Sequence, residues 1–167
     1  MSARTKKLTF LGLAASVALI LSYTEAMLPP IYAAIPGIKV GLPNIVILFL
    51  LYRYSVKEAA VVSFIRLVIS TLLFGSITML FYSTAGAVLS LALMALFKKL
   101  GLFSTVGVSV IGGVAHNLGQ VFVAMIMLET AEIGYYMFIL AISGTLAGIF
   151  IGLAGALLLS KLNSKKH

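Results

Sequence analysis

Apolar runs near twenty residues long most constrain what this chain can fold into. Residues 8–28, 56–74, 77–97, 105–128 and 134–160 are each largely apolar. A helix needs about 20 such residues to cross a hydrocarbon core of about 30 Å. A further run, residues 43–54, is shorter. At about 1.5 Å per residue it covers roughly 18 Å. It crosses only if residues 35–42 extend it or the bilayer thins. Composition agrees, with 62% hydrophobic and 10% charged residues. Soluble domains average about 45–50% apolar and about 25% charged residues. The expectation is an all-α integral membrane protein in the cell membrane, with six transmembrane helices in a single domain over residues 1–167. The first run exceeds the roughly 7–15 apolar residues of a signal peptide, so it reads as a retained span.

Charge sets the orientation. The net charge is +8. With the N-terminus in the cytoplasm, inside segments hold Arg4, Lys6, Lys7, Arg53, Lys57, Lys98, Lys99, Lys161, Lys165 and Lys166. Outside segments hold Lys39 as their one basic residue, with Glu129 and Glu132. Basic residues collect on cytoplasmic loops, so both termini are expected there. Removing the short second span would place Lys98 and Lys99 outside. Nothing resembles a basic groove with interleaved aromatics, and no nucleic-acid partner is expected.

Several chemistries are poorly supplied. There is no cysteine, hence no disulfide, thiolate ligand or thiol nucleophile. Two histidines, one of them the terminal His167, and four acidic residues leave a metal-ligand cluster poorly supplied. No cofactor, metal or catalytic residue is expected. The phosphate-binding loop of ATPases is missing as well.

Polar groups inside apolar runs are costly and tend to face a bundle interior or cavity. Arg66 lies about ten residues into the third run; either Glu25 or helix carbonyls pair with it, or it meets a ligand. In IGGVAHNLGQ, His116, Asn117 and Gln120 form a polar stripe at helical spacing beside Gly112 and Gly113. The stripe faces substrate or serves as interhelical glue, the latter worth about 0.6–2 kcal/mol per bond. Residues 29–44 hold all four prolines. There Asn44 caps a helix or, with Pro43, lines a cavity, and Lys39 meets an anionic ligand or the headgroups. Ala14 and Ala18 make a small-xxx-small face for another helix, within the chain or on a partner.

KVGLPNIV, residues 39–46, and GGVAHNLGQ, residues 112–120, resemble motifs of the Gx transporter family, also labelled heptaprenyl diphosphate synthase component I. The similarity extends over nearly the whole chain. The family's architecture is similar to the S components of energy-coupling factor (ECF) transporters. That resemblance implies a six-helix membrane subunit that binds a small polar or anionic nutrient or cofactor precursor. It implies as partners an ECF module of a coupling subunit and two ATPases, besides the ligand and the lipid bilayer. It also implies that residues 29–42 cover the ligand and that Ala14 and Ala18 meet the coupling subunit. Prenyl diphosphate synthases of the usual type hold magnesium with aspartate-rich motifs. This chain contains no aspartate, so catalysis is not expected. The alternative is a non-catalytic accessory subunit in prenyl-lipid or quinone metabolism, or in membrane electron transfer.

Overall fold

In the computed structural model, residues 2–27 and 41–164 are described. Lys39 and most of the proline-rich segment lie outside these residues. Helix α1 covers Ala3–Met27, α2 Asn44–Arg53, α3 Val56–Phe74 and α4 Ile77–Leu100. Helix α5 covers Thr105–Met127, and a 3-10 turn over Ala131–Tyr136 leads into α6, Met137–Ser164. Among the described residues there is no strand.

Serines divide the apolar sequence into separate helices. Ser55, Ser76 and Ser104 take extended backbone ahead of α3, α4 and α5. Their hydroxyls accept from the N–H groups of Lys57, Met79 and Gly107 at 3.1, 3.2 and 3.2 Å. Each satisfies a donor that the first turn of a helix leaves open. Helix α4 ends at Gly101, which takes a left-handed φ of 68°. Its N–H donates to the carbonyls of Phe97 and Lys98 at 3.2 and 3.3 Å. Glycine takes that conformation without a Cβ penalty.

Four stretches are long and apolar enough to cross a membrane: Ala3–Met27, Ile77–Leu100, Thr105–Met127 and Ala131–Leu162. Leu72, Phe138 and Ile77 are 79%, 76% and 73% exposed. Such an apolar exterior suits lipid, not water. The chain is a helical membrane protein. Helix α3, with 19 residues, is long enough but carries Lys57, Glu58 and Arg66. Helix α2 has 10 residues, about 15 Å, or half of a hydrocarbon core of about 30 Å.

The short helix is the centre of the packing. Val46 through Leu51 are buried in succession, against Ala14, Ala18, Val62, Met94, Val108 and Ile151. A helix apolar on every side belongs inside a protein. Its last turn is closed by Lys98, whose Nζ donates to the carbonyl of Leu51 at 2.6 Å. The same ammonium lies 5.1 Å from the Tyr52 ring centroid. Nearby, Lys7 pairs with Glu58, and Lys7 and Arg53 both lie over the Tyr54 ring. The starts of α1 and α3 and the ends of α2 and α4 therefore meet at one basic end of the bundle.

Helices α4, α5 and α6 approach backbone to backbone. A Cβ added at Gly113 would lie 2.3 Å from the Gly144 carbonyl oxygen. One at Gly148 would lie 2.5 Å from Val110 Cα, and one at Gly119 2.7 Å from the Ala85 carbonyl oxygen. Glycine at these points is a packing requirement.

Candidate ligand-binding site

Helices α1 and α3 run side by side in the same direction. Lys7 pairs with Glu58, 51 residues later, and at the other end Tyr23 packs on Phe74 with centroids 5.7 Å apart. The two pairs share one offset, so Arg66 Cα is level with Ala15. Its Nη1 nevertheless donates to Ser22 Oγ at 3.4 Å. Ser22 is seven residues beyond Ala15, about 10 Å along the helix. The guanidinium is thus carried away from the basic end of the bundle.

Arg66 is 9% exposed. Its Nε has no hydrogen-bond partner among the described residues. Ser22 Oγ in turn donates to the Ala18 carbonyl at 2.9 Å. One turn beyond Ser22 on the same face stands Glu25, whose negative charge acts on the guanidinium. Glu25 Oε1 also accepts from the backbone N–H of Gly41. Gly41 has a left-handed φ of 77°, and a Cβ there would lie 3.2 Å from Asn44 Nδ2 and 3.1 Å from Ile151 Cδ1. Glu25 therefore joins the end of α1 to the turn that opens α2. Asn44 stands at that turn and is half-buried. It is the first residue of α2, and the N-cap position belongs to Pro43, with no side-chain cap.

His116, Asn117 and Gln120 sit at mid-length of α5 and are half-buried. They divide between two neighbours. A Cβ at Gly86 of α4 would lie 3.0 Å from both His116 Cε1 and Gln120 Cγ. Asn117 turns to α6, where its Nδ2 donates to the Leu140 carbonyl at 2.6 Å. The contacts thus fall into two groups. Ser22, Glu25, Arg66, Gly41 and Asn44 gather around α1, α3 and the start of α2. His116, Asn117 and Gln120 lie between α4, α5 and α6. A shallow apolar hollow lies elsewhere, beyond Phe122 and Ile126 at the end of α5, with Glu129 at its edge.

Ala14 and Ala18 are 8% and 0% exposed, inside the chain's own core. Gly12 and Ser16, also on α1, stay exposed, and Gly12 has no neighbouring atom within 4 Å of a Cβ position. Sequence reasoning did not single out Ser22. The signal was there: Ala14, Ala18 and Ser22 repeat every fourth residue and form the buried face of α1.

The sequence matches the family described as heptaprenyl diphosphate synthase component I over residues 14–158. The chain belongs to that family. The match takes in α2 to α5, both motif segments and Arg66, and excludes only the ends of the chain. No curated protein and no solved structure matches the chain. Among the described residues of this family member, no three histidine or carboxylate side chains come together as a metal site.

Proposed function

We propose that the chain is a substrate-binding membrane subunit of the S-component type. It would carry six spans with both termini in the cytoplasm, and would perform no catalysis itself. The observation that carries this reading is Arg66. A charge at the centre of a membrane helix costs about 2.5–3.5 kcal/mol on insertion scales. Among the described residues the one hydrogen bond of Arg66 is the long contact to Ser22, beside the charge of Glu25, and Nε has no partner. A purely structural arginine would be expected to use more of its five donors. A small polar or anionic ligand would take the remaining donors beside Asn44, while His116, Asn117 and Gln120 would serve the packing of α5 on α4 and α6. The coupling subunit of an ECF module, with two ATPases, would meet the open flank of α1 at Gly12 and Ser16, beside the buried Ala14 and Ala18.

Native mass spectrometry tests this directly. A small molecule retained by the purified protein should be lost in Arg66→Ala while the protein stays folded. Full retention in Arg66→Ala removes the arginine from the site. The family description favours a second reading, a non-catalytic accessory subunit in prenyl-lipid or quinone metabolism. Co-purification separates the two: a coupling subunit with ATPases supports transport, and a soluble prenyltransferase supports the accessory role.

A further inference from the structure

We infer that the basic end of the bundle is a docking surface for anionic phospholipid, with phosphate headgroups on Arg4, Lys57, Lys99 and Lys161 and acyl chains on the apolar side chains beneath them. The inference stands apart from the reading of Arg66.

Five helices bring basic residues to this end. The start of α1, the turn from α2 to α3 and the end of α4 meet there through Lys7, Arg53 and Lys98. The end of α6 comes to the same level. Positions 113, 110 and 106 of α5 face 144, 148 and 152 of α6, so α6 runs past the start of α5 before it reaches Lys161. The described residues of these segments hold eight basic side chains and one carboxylate, Glu58. Lys165 and Lys166 follow in the sequence with the same sign.

Inner and outer cations differ. Lys7 is taken by Glu58, and Lys98 by the Leu51 carbonyl. Arg4, Lys57, Lys99 and Lys161 are exposed, and no side-chain hydrogen bond or ion pair among the described residues engages them. Each stands three or four residues from an exposed apolar side chain on its inward side: Leu8, Val61, Leu96 and Leu158 in turn. Residues at that spacing share a helix face, one turn apart. Charge thus sits directly over surface that belongs against acyl chains. A phosphodiester headgroup above a hydrocarbon chain matches both halves, and Lys and Arg near a bilayer surface draw acidic lipid. A soluble acidic partner would match the charges only.

The test uses the purified full chain in neutral detergent, two probes of equal chain length, phosphatidylglycerol and phosphatidylcholine, and native mass spectrometry to read bound lipid. Phosphatidylglycerol should bind in preference, and the preference should shrink as salt rises. Lys57→Gln combined with Lys99→Gln should lower phosphatidylglycerol affinity about thirtyfold and leave phosphatidylcholine binding level. Equal binding of the two lipids by the wild type overturns the inference, as does a preference that salt does not move. So does a loss of less than about threefold in the folded double variant. If that variant does not fold, the wild-type comparison alone decides. Displacement of the lipid by an equal concentration of glycerol phosphate or polyglutamate also overturns it, because the surface would then read charge without the chain.

Discussion

Replacing Gly113 by alanine tests the backbone contact between α5 and α6. The new Cβ would stand 2.3 Å from the Gly144 carbonyl oxygen. A close C···O contact is about 3.3 Å, so the two helices must part by about 1 Å. Overpacking of this kind costs about 1–3 kcal/mol when side chains can give way. Here the obstacle is backbone, which puts the cost at or above the upper end. Parting the helices also stretches the 2.6 Å bond from Asn117 to Leu140. Alanine returns about 1 kcal/mol in helix propensity. The net loss is about 2 kcal/mol, a fall of about 4–8 °C in Tm at about 2–4 °C per kcal/mol. Circular dichroism of the detergent-solubilised protein measures it. Gly12→Ala is the control, because no atom lies within 4 Å of its Cβ position; its Tm should stay level or rise. A Gly113→Ala protein that melts with or above the wild type, or a control that falls equally, refutes the contact.

Other outcomes follow from single side chains. Lys98→Met leaves the buried Leu51 carbonyl without its donor, and should cost about 1–3 kcal/mol. Lys99→Met, exposed at the next position, should change Tm little. Asn117→Ala removes one interhelical bond and should cost about 0.6–2 kcal/mol; it should also weaken ligand retention if the amide lines the pocket, so the two readouts separate glue from contact. The absence of native cysteines allows single-cysteine mapping. A membrane-impermeant maleimide added outside intact cells should label Tyr135→Cys and spare Phe103→Cys; the reverse pattern overturns the proposed orientation.

Run length and apolar composition were enough to read a helical membrane protein from the sequence, and the shortness of α2 was plain. The sorting of side chains between neighbours was not. His116 and Asn117 are about 100° apart around a helix of 3.6 residues per turn, and residues that share a stripe in sequence can still meet different partners. Here α4 takes one and α6 the other. The spacing of Ala14 and Ala18 announced a close helix contact, but spacing does not name the helix that answers it. Glu25 was legible as a charge near Arg66, but the hydroxyl of Ser22 that the guanidinium reaches was not. The bond of Glu25 to Gly41, across 16 residues, follows from no periodicity, because it depends on where the chain re-enters the bundle at Gly41.

The ten residues of α2 have a consequence for biosynthesis. A segment that covers half the bilayer, with its middle turned wholly toward protein, gains little by entering lipid alone. Its place has to be created by the helices that enclose it, four of which are synthesised after it. The most deeply sequestered helix is therefore seated last, so truncation before α6 should leave a chain whose centre is still unoccupied.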